Sequence, residues 1–398
     1  MDDSRAAHPS SIALIASHLY PRFGLETAVQ NLARFLTCEY PTVKIICISQ
    51  DAGLLRENVR TIRDLNVEVW AGPNRGFRRA FSAFRLRRRI RAIDSDVVIA
   101  CGAWAAIPLL LSIRNSNARR TIVWEHSFDQ EKVRTNKSLR VLRALAKALY
   151  RRASTIACVS RKLELDMETT GFITRKVTIA NLIEVDDDAV NKISHTEAIA
   201  GRLICVGTLS ATKNQALAIR TLSLLPEYYT LDVVGDGPER SALERLAEES
   251  GVADRVTFHG YVNDPVLLMR KATILVHPAH GETFGIVLFE ASSVGVPVVA
   301  LNQSVMADIV PELIPGALAE PTVESFAEAI TQLTKHPPTA EDFARANMRR
   351  QELVAEAKAR WIREINIAYS QGIRRADSVT SGPDALVWTR TSARTDPR

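Results

Sequence analysis

Two glutamates, Glu282 and Glu290, enclose the seven residues Thr283-Phe-Gly-Ile-Val-Leu-Phe289. The apolar run Thr273-Ile-Leu-Val-His277 precedes them, and Ala291-Ser-Ser-Val-Gly-Val-Pro-Val-Val-Ala300 follows. This reads as a strand, a loop carrying an acid, and a helix that opens at Gly285 with the second acid one or two turns in. A helix start offers backbone N–H groups without intrahelical partners and the positive end of the helix dipole, a setting for an anionic ligand. Glu282 and Glu290 can then accept hydrogen bonds from hydroxyls. A ligand with a phosphate and many hydroxyls is a nucleotide sugar. An ordinary buried helix with solvated acids would account for either glutamate alone, but not for the whole run in its strand–helix–strand setting.

Other residues fit the same chemistry less specifically. Lys213, in Val206-Gly-Thr-Leu-Ser-Ala-Thr-Lys213, falls between a strand and a helix, where an ammonium beside N–H donors suits a diphosphate. Gly24 lies between the first strand and the first helix, and its missing side chain lets backbone approach a phosphate or acceptor. His126 follows the strand Thr121-Ile-Val-Trp124 and can hydrogen-bond a sugar hydroxyl or developing charge. On spacing alone, a satisfied structural histidine is the simpler reading. Gly235-Asp-Gly-Pro238 is not the dinucleotide fingerprint, because Arg240 stands where a third glycine would be.

The elements that must hold these residues alternate. Ser11–Ala16, Val43–Ser49, Val67–Trp70, Asp96–Cys101, Thr121–Trp124 and Thr155–Ser160 read as strands, with helices over Thr27–Leu36 and 138–152. The acidic stretch Glu184–Asp188 and the polar run to Ala200 read as a linker. The pattern then restarts. Strands are expected at 202–206, 230–235, 255–259, 273–277 and 296–301, with helices at 214–225 and 238–250. Apolar strands alternating with helices predict α/β architecture, with two doubly wound parallel sheets facing a cleft. Ligands of such sheets bind at the carboxyl ends of strands. The chain divides into 1–190, 191–350, a helix over 351–374, and a polar tail 375–398 expected to lack structure.

Charge is unevenly distributed over the 398 residues. The net charge is +6, but residues 1–190 hold 30 Lys+Arg against 20 Asp+Glu, and the remainder holds 21 against 25. The densest basic run is 75–91, where Phe77, Phe81 and Phe84 follow helical spacing among arginines. A basic amphipathic helix can bind an anionic membrane surface, each cation contributing about 1 kcal/mol. The same spacing also suits a helix packed on its own domain. No nucleic-acid reader motif accompanies the patch. No apolar stretch reaches the ~18 residues of a membrane span, and Met1-Asp-Asp-Ser does not read as a signal peptide. The five cysteines are scattered, and none pairs at metal spacing, as expected for thiols in a reducing cytosol.

The Glu282–Glu290 segment resembles the signature of the retaining glycosyltransferases of family 4, and the likeness extends over roughly residues 10 to 370. The resemblance implies the GT-B fold, in which two Rossmann-like domains face a central cleft, the first binding the acceptor and the second the nucleotide sugar. It implies that Glu290 binds the ribose hydroxyls, that Glu282 lies beside the transferred sugar, and that the N–H groups of Phe284, Gly285 and Ile286 face the sugar and phosphate. Lys213 would neutralise the leaving diphosphate, and the backbone around Val262, in Gly260-Tyr-Val262, would read the base. His126 matches a histidine found at this place in many relatives. The implied reaction moves a UDP- or GDP-linked sugar to a glycan or lipid-linked acceptor, without a metal, by front-face substitution and with the last helix crossing back to the first domain. The implied location is cytoplasmic, peripheral on the membrane. Three departures stand out. Thr208 occupies the family's arginine position, Gly24 is one glycine where two are usual, and Gln303-Ser-Val-Met-Ala-Asp308 replaces Gly-Gly-x-x-Glu. Those departures motivate a non-catalytic relative as the rival reading. A nucleotide-sugar epimerase or a phosphorylase of the same fold is a further alternative.

Overall fold

The computed structural model describes residues 8–17, 24–48, 65–70, 86–118, 120–126, 137–183 and 198–380. The first sheet comprises β1 (Ser11–Ala16), β2 (Thr42–Cys47), β3 (Val67–Val69), β4 (Val97–Cys101), β5 (Thr121–Glu125), β6 (Thr155–Cys158) and β7 (Lys176–Thr178). Its order is β3-β2-β1-β4-β5-β6-β7, with every pairing parallel. Strands buried on both faces read as continuous apolar runs. Accordingly β4, β5 and β6 are buried along their whole length.

The second sheet comprises β8 (Arg202–Val206), β9 (Thr230–Val234), β10 (Val256–Gly260), β11 (Ile274–His277), β12 (Val298–Leu301) and β13 (Gly316–Ala319). Its order is β10-β9-β8-β11-β12-β13, again all parallel. The strand order reverses between β1 and β4 in one sheet and between β8 and β11 in the other. Side chains from loops on either side of such a reversal converge on one crevice.

Two edge strands escaped the sequence reading. Residues 176–178 present only one apolar side chain, and Gly316-Ala-Leu-Ala319 lacks β-branched residues. Their pairing comes from the neighbouring strand rather than from intrinsic propensity. The apolar run Cys101–Ile113 divides at Gly102, whose φ of 77° turns the chain from β4 into the helix Ala103–Ser112. Of the basic run 75–91, only 86–91 falls within the described residues, where it is helical. Its three phenylalanines lie outside them.

The last helix, Ala340–Thr380, is bonded to both sheets' units. Arg350 Nη1 donates to Ser292 Oγ at 2.7 Å, and Arg349 Nη1 to the Glu312 carbonyl at 3.1 Å. Farther along, Arg175 grips Glu364 with both Nη atoms, and Thr155 Oγ1 donates to the same carboxylate at 3.1 Å. Arg360 Nη1 reaches the Thr178 carbonyl at 2.6 Å. Trp361, Ile365 and Ala368 are fully buried between these anchors. The helix passes Arg120 at Gly372, where any β-carbon would stand 2.2 Å from that side chain. It continues to Thr380, six residues past the limit expected at 374, because the helix-stopping Gly382 and Pro383 come only later. The rest of the expected tail, 381–398, lies outside the described residues.

Candidate active site

The loop after β8 and the loop after β11 meet at the reversal point of the second sheet. The His280 N–H donates to the Thr212 carbonyl at 2.9 Å, and Thr212 Cγ2 stands 3.3 Å from where a β-carbon on Gly281 would be. This contact delivers Lys213 to Glu282, and Lys213 Nζ donates to Glu282 Oε1. His277, at the end of β11 and buried, brings Nε2 to 3.2 Å from the same oxygen. Ser304 Oγ donates to the Glu282 carbonyl at 2.8 Å. Loops from three strands therefore fix one glutamate.

Burial opposes ionisation of Glu282. The His277 imidazole and the Lys213 ammonium outweigh it and hold the carboxyl down at about 2. The site thus contains a carboxylate at every working pH. Glu290 behaves oppositely. Burial, and then the charge of Asp264, push its carboxyl above the usual range.

Gly285 precedes the helix Ile286–Ser293 in the left-handed region, with φ of 75°, and no side chain caps that helix start. Glycine takes this conformation at little steric cost. The side chain of Phe284 is buried and stacks on Phe289 at 5.1 Å between ring centroids, so only its backbone faces outward chemistry. Ile286 points to the first sheet's unit. A β-carbon on Gly24 would lie 3.4 Å from Ile286 Cδ1. The two reversal points are thereby brought face to face.

Where the resemblance implies a glycine pair, Ser304 takes a left-handed φ of 60°. The serine keeps a glycine-like backbone at some conformational cost and adds a hydroxyl that holds Glu282. Thr208 gives its carbonyl to Gln215 Nε2 at 3.0 Å and brings no charge. Gly235 and Gly237 pack on the β8 loop so tightly that β-carbons would stand 2.0 Å from the Gly207 oxygen and 2.3 Å from the Leu209 oxygen.

His126 follows β5 in the first sheet. Its ring lies 4.2 Å from Trp124, which in turn lies 5.3 Å from Trp361 of the last helix. Burial pushes its imidazole down to about 3, so it is neutral in the working range. Glu125 is buried and accepts from Tyr150 Oη at 2.8 Å, a structural role. Val262 is half-buried against the second core. Sequence reading passed over His277 and Ser304. A histidine ending a central apolar strand was the available signal for the first; a serine in a left-handed turn left none.

Among the described residues no group of three His, Cys, Asp or Glu side chains is arranged to hold a metal ion. Among the described residues, Lys213 and the uncapped starts of the helices Gln215–Leu222 and Ile286–Ser293 are available to an anion.

Comparison with known proteins agrees with this geometry. Residues 24–187 match the family model described as Glycosyltransferase Family 4, and residues 190–350 match Glycosyl transferases group 1. The lipopolysaccharide glucosyltransferase WaaG of Escherichia coli is 31% identical over 188 residues, 46% of this chain and 47% of that protein. The 2-deoxystreptamine glucosyltransferase of Streptomyces kanamyceticus is 30% identical over 138 residues, 33% of this chain and 36% of that protein. The chain therefore spans between a third and a half of the length of these curated relatives. Among solved structures, Anabaena HepE in complex with UDP and glucose superposes with a TM-score of 0.64 at 18% identity, covering 94% of this chain and all of that one. The structure of WaaG gives 0.62 at 20% identity, covering 93% of this chain and all of that one. At such identities the likeness establishes the fold, two Rossmann-like domains of the GT-B type.

Proposed function

The chain belongs to glycosyltransferase family 4, and we propose that it transfers a sugar, with retention, from a UDP- or GDP-linked donor to a glycan or lipid-linked acceptor in polysaccharide or glycolipid synthesis. The observation that carries this reading is the pairing of Lys213 with Glu282 at the reversal point, beside the uncapped helix start at Gly285. A donor diphosphate placed there meets one ammonium and the helix dipole, and the sugar meets an ionised carboxylate. Glu290, its carboxyl pushed up by burial, suits hydrogen bonding to the ribose hydroxyls. Val262 would present its backbone to the base, and Gly24 would admit phosphate or acceptor to the cleft.

Chemistry would proceed by departure of the nucleoside diphosphate, its charge met by Lys213 and the helix start rather than by a metal. On the retaining route the departing phosphate oxygen takes the acceptor proton. The acceptor oxygen bonds to the anomeric carbon from the face the phosphate leaves. Neutral His126 would then donate a hydrogen bond through its one N–H to the sugar or to developing charge. Closure of the cleft, hinged on the last helix, would exclude water and align the reactants.

Thr208 favours one second reading, a relative that binds the donor without turnover. Incubation with radiolabelled UDP- and GDP-hexoses, with and without EDTA and an acceptor extract, separates the two. EDTA-resistant transfer supports the enzyme. Tight nucleotide binding without transfer or hydrolysis supports the binder.

A further inference from the structure

The last helix lies against β5 on one face of the first sheet, and three rings touch there in sequence. Side chains alternate across a strand, so Trp124 and His126, two residues apart, share a face. Glu125 between them turns the other way, to Tyr150 Oη. Trp361, from the last helix, meets Trp124 edge-on, with ring centroids 5.3 Å apart and planes at 86°. Trp124 in turn meets the His126 imidazole at 4.2 Å and 60°. Both tryptophans are fully buried. Edge-to-face contact is an arrangement that ring quadrupoles favour, so each ring constrains the angle of the next.

Packing, not hydrogen bonding, sets these orientations. Among the described residues His126 Nε2, Trp124 Nε1 and Trp361 Nε1 are buried without a hydrogen-bond partner. An imidazole is commonly oriented through a hydrogen bond to one of its nitrogens; here the contact on the ring is Trp124. Indole N–H groups buried without acceptors cost stability rather than add to it. A leucine or phenylalanine would fill the same core without that cost, so the indole pair contributes ring edges beside the imidazole. Trp361 is itself held in place, because its neighbours on the helix are tied to the first sheet. Arg360 Nη1 donates to the Thr178 carbonyl at 2.6 Å, and Glu364 accepts from Thr155 Oγ1 at 3.1 Å and from Arg175 Nη2 at 2.8 Å. Roughly three turns earlier the same helix is bonded to the helix Ile286–Ser293, through Arg350 Nη1 and Ser292 Oγ at 2.7 Å.

We propose that Trp361 is a positioning residue for sugar transfer: through Trp124 it holds the His126 imidazole at the angle from which its N–H meets the sugar. The role of His126 in this rests on the proposed function; the ring contacts do not. The last helix then does more than join the two units. It forms one wall of the His126 environment, and the same rod is bonded to the helix at whose start the donor phosphate is placed. Rings, unlike a carboxylate partner, orient an imidazole without favouring its charged form.

The test compares Trp361→Leu, which keeps apolar volume but removes the ring, with Trp361→Phe, which keeps a ring edge, each alone and combined with His126→Gln in the full chain. The first readout needs no turnover. In protein carrying isotope-labelled histidine, the His126 imidazole resonances are identified by their loss in His126→Gln. Trp361→Leu should move them toward the position of a solvent-exposed histidine, and Trp361→Phe should leave them near the wild-type position. The second readout is kinetic. Trp361→Leu should lower kcat by about tenfold or more, the scale of a misplaced reacting group, with the KM for the donor unchanged. Trp361→Phe should recover most of the rate. In the His126→Gln background Trp361→Leu should cost less than about twofold, because the group it positions is gone. Assays held well below each variant's thermal midpoint keep these effects separate from unfolding. Unmoved His126 resonances in Trp361→Leu, or the same loss of kcat with and without His126, would overturn the proposal and leave Trp361 as core packing. Absence of transfer by wild type is failure of the proposed function; moved resonances would still support, and unmoved ones overturn, the positioning of the imidazole by Trp361.

Discussion

Lys213 and Glu282 are bonded to each other, although they come from loops 69 residues apart that follow β8 and β11. The lysine is thus neutralised by the very carboxylate expected to meet the donor sugar. A diphosphate must compete for that ammonium, and Glu282 stays fixed by His277 and Ser304 while it does.

Lys213→Ala should leave the fold intact and lower kcat by about two to three orders of magnitude, the usual cost of one preorganised charge-stabilising group. Lys213→Arg should recover part of the rate, since charge matters more here than shape. Steady-state kinetics on the three proteins check this. Equal kcat in wild type and Lys213→Ala would remove the lysine from the reaction.

Stability should fall with acid through Glu282. Its folded pKa lies below its unfolded value, so the stabilisation is present above the ordinary carboxylate pKa and is lost as pH falls from about 4.5 toward about 2. The full shift corresponds to roughly 3 kcal/mol. Urea unfolding of wild type and Glu282→Gln between pH 6 and pH 3 should show curves that converge as pH falls. Parallel curves would mean that the ion pair contributes no stability.

His126 acts in a higher window. A histidine held neutral when folded binds a proton more readily when unfolded, so stability drops as pH falls below about 6.5, by about 2 kcal/mol at pH 5. His126→Gln should flatten that slope, and the imidazole proton resonances should not titrate between pH 5 and pH 8. A titration midpoint near 6.5 in the folded protein would contradict the neutral imidazole.

How much of this was legible in the residues differs by element. The strands at 97–101, 121–125 and 274–277 are plain because burial on both faces demands unbroken apolar runs. The Glu282–Glu290 run is plain because a glycine that opens a helix leaves a local mark. Two partners of Glu282 are not local. Lys213 and Ser304 reach it from the loops after β8 and β12, whereas His277 ends the strand just before it, and nothing in the spacing of 213 and 282 encodes their contact. Strand order brings β8 beside β11, and strand order is decided by packing. Ser304 illustrates the limit in another way, since its left-handed backbone is a property of the turn and not of the serine.

Gly235→Ala should be among the more destabilising single changes at the site. The added carbon would meet the Gly207 oxygen, which is backbone and cannot step aside, and φ is 130°. The cost is on the order of 2–4 kcal/mol, a drop of roughly 5–10 °C in Tm, read by differential scanning calorimetry. An unchanged Tm would show that the β8 and β9 loops are looser than this packing implies.

Thr208→Arg restores a cation where the leaving group gathers charge. It should tighten nucleoside diphosphate binding and raise kcat, each by about tenfold. An unchanged rate would mean that the missing charge is supplied elsewhere or is not needed.

The most direct test of the account is isothermal titration of wild type, Lys213→Ala and Glu290→Ala with UDP, GDP and ADP and their common hexose conjugates, with and without EDTA. The account predicts that UDP or GDP, with its sugar conjugates, binds wild type regardless of EDTA, and that affinity falls at least tenfold in Lys213→Ala and in Glu290→Ala. Undiminished binding in both variants, or no binding by any nucleotide, would contradict the assignment of this crevice as the donor site.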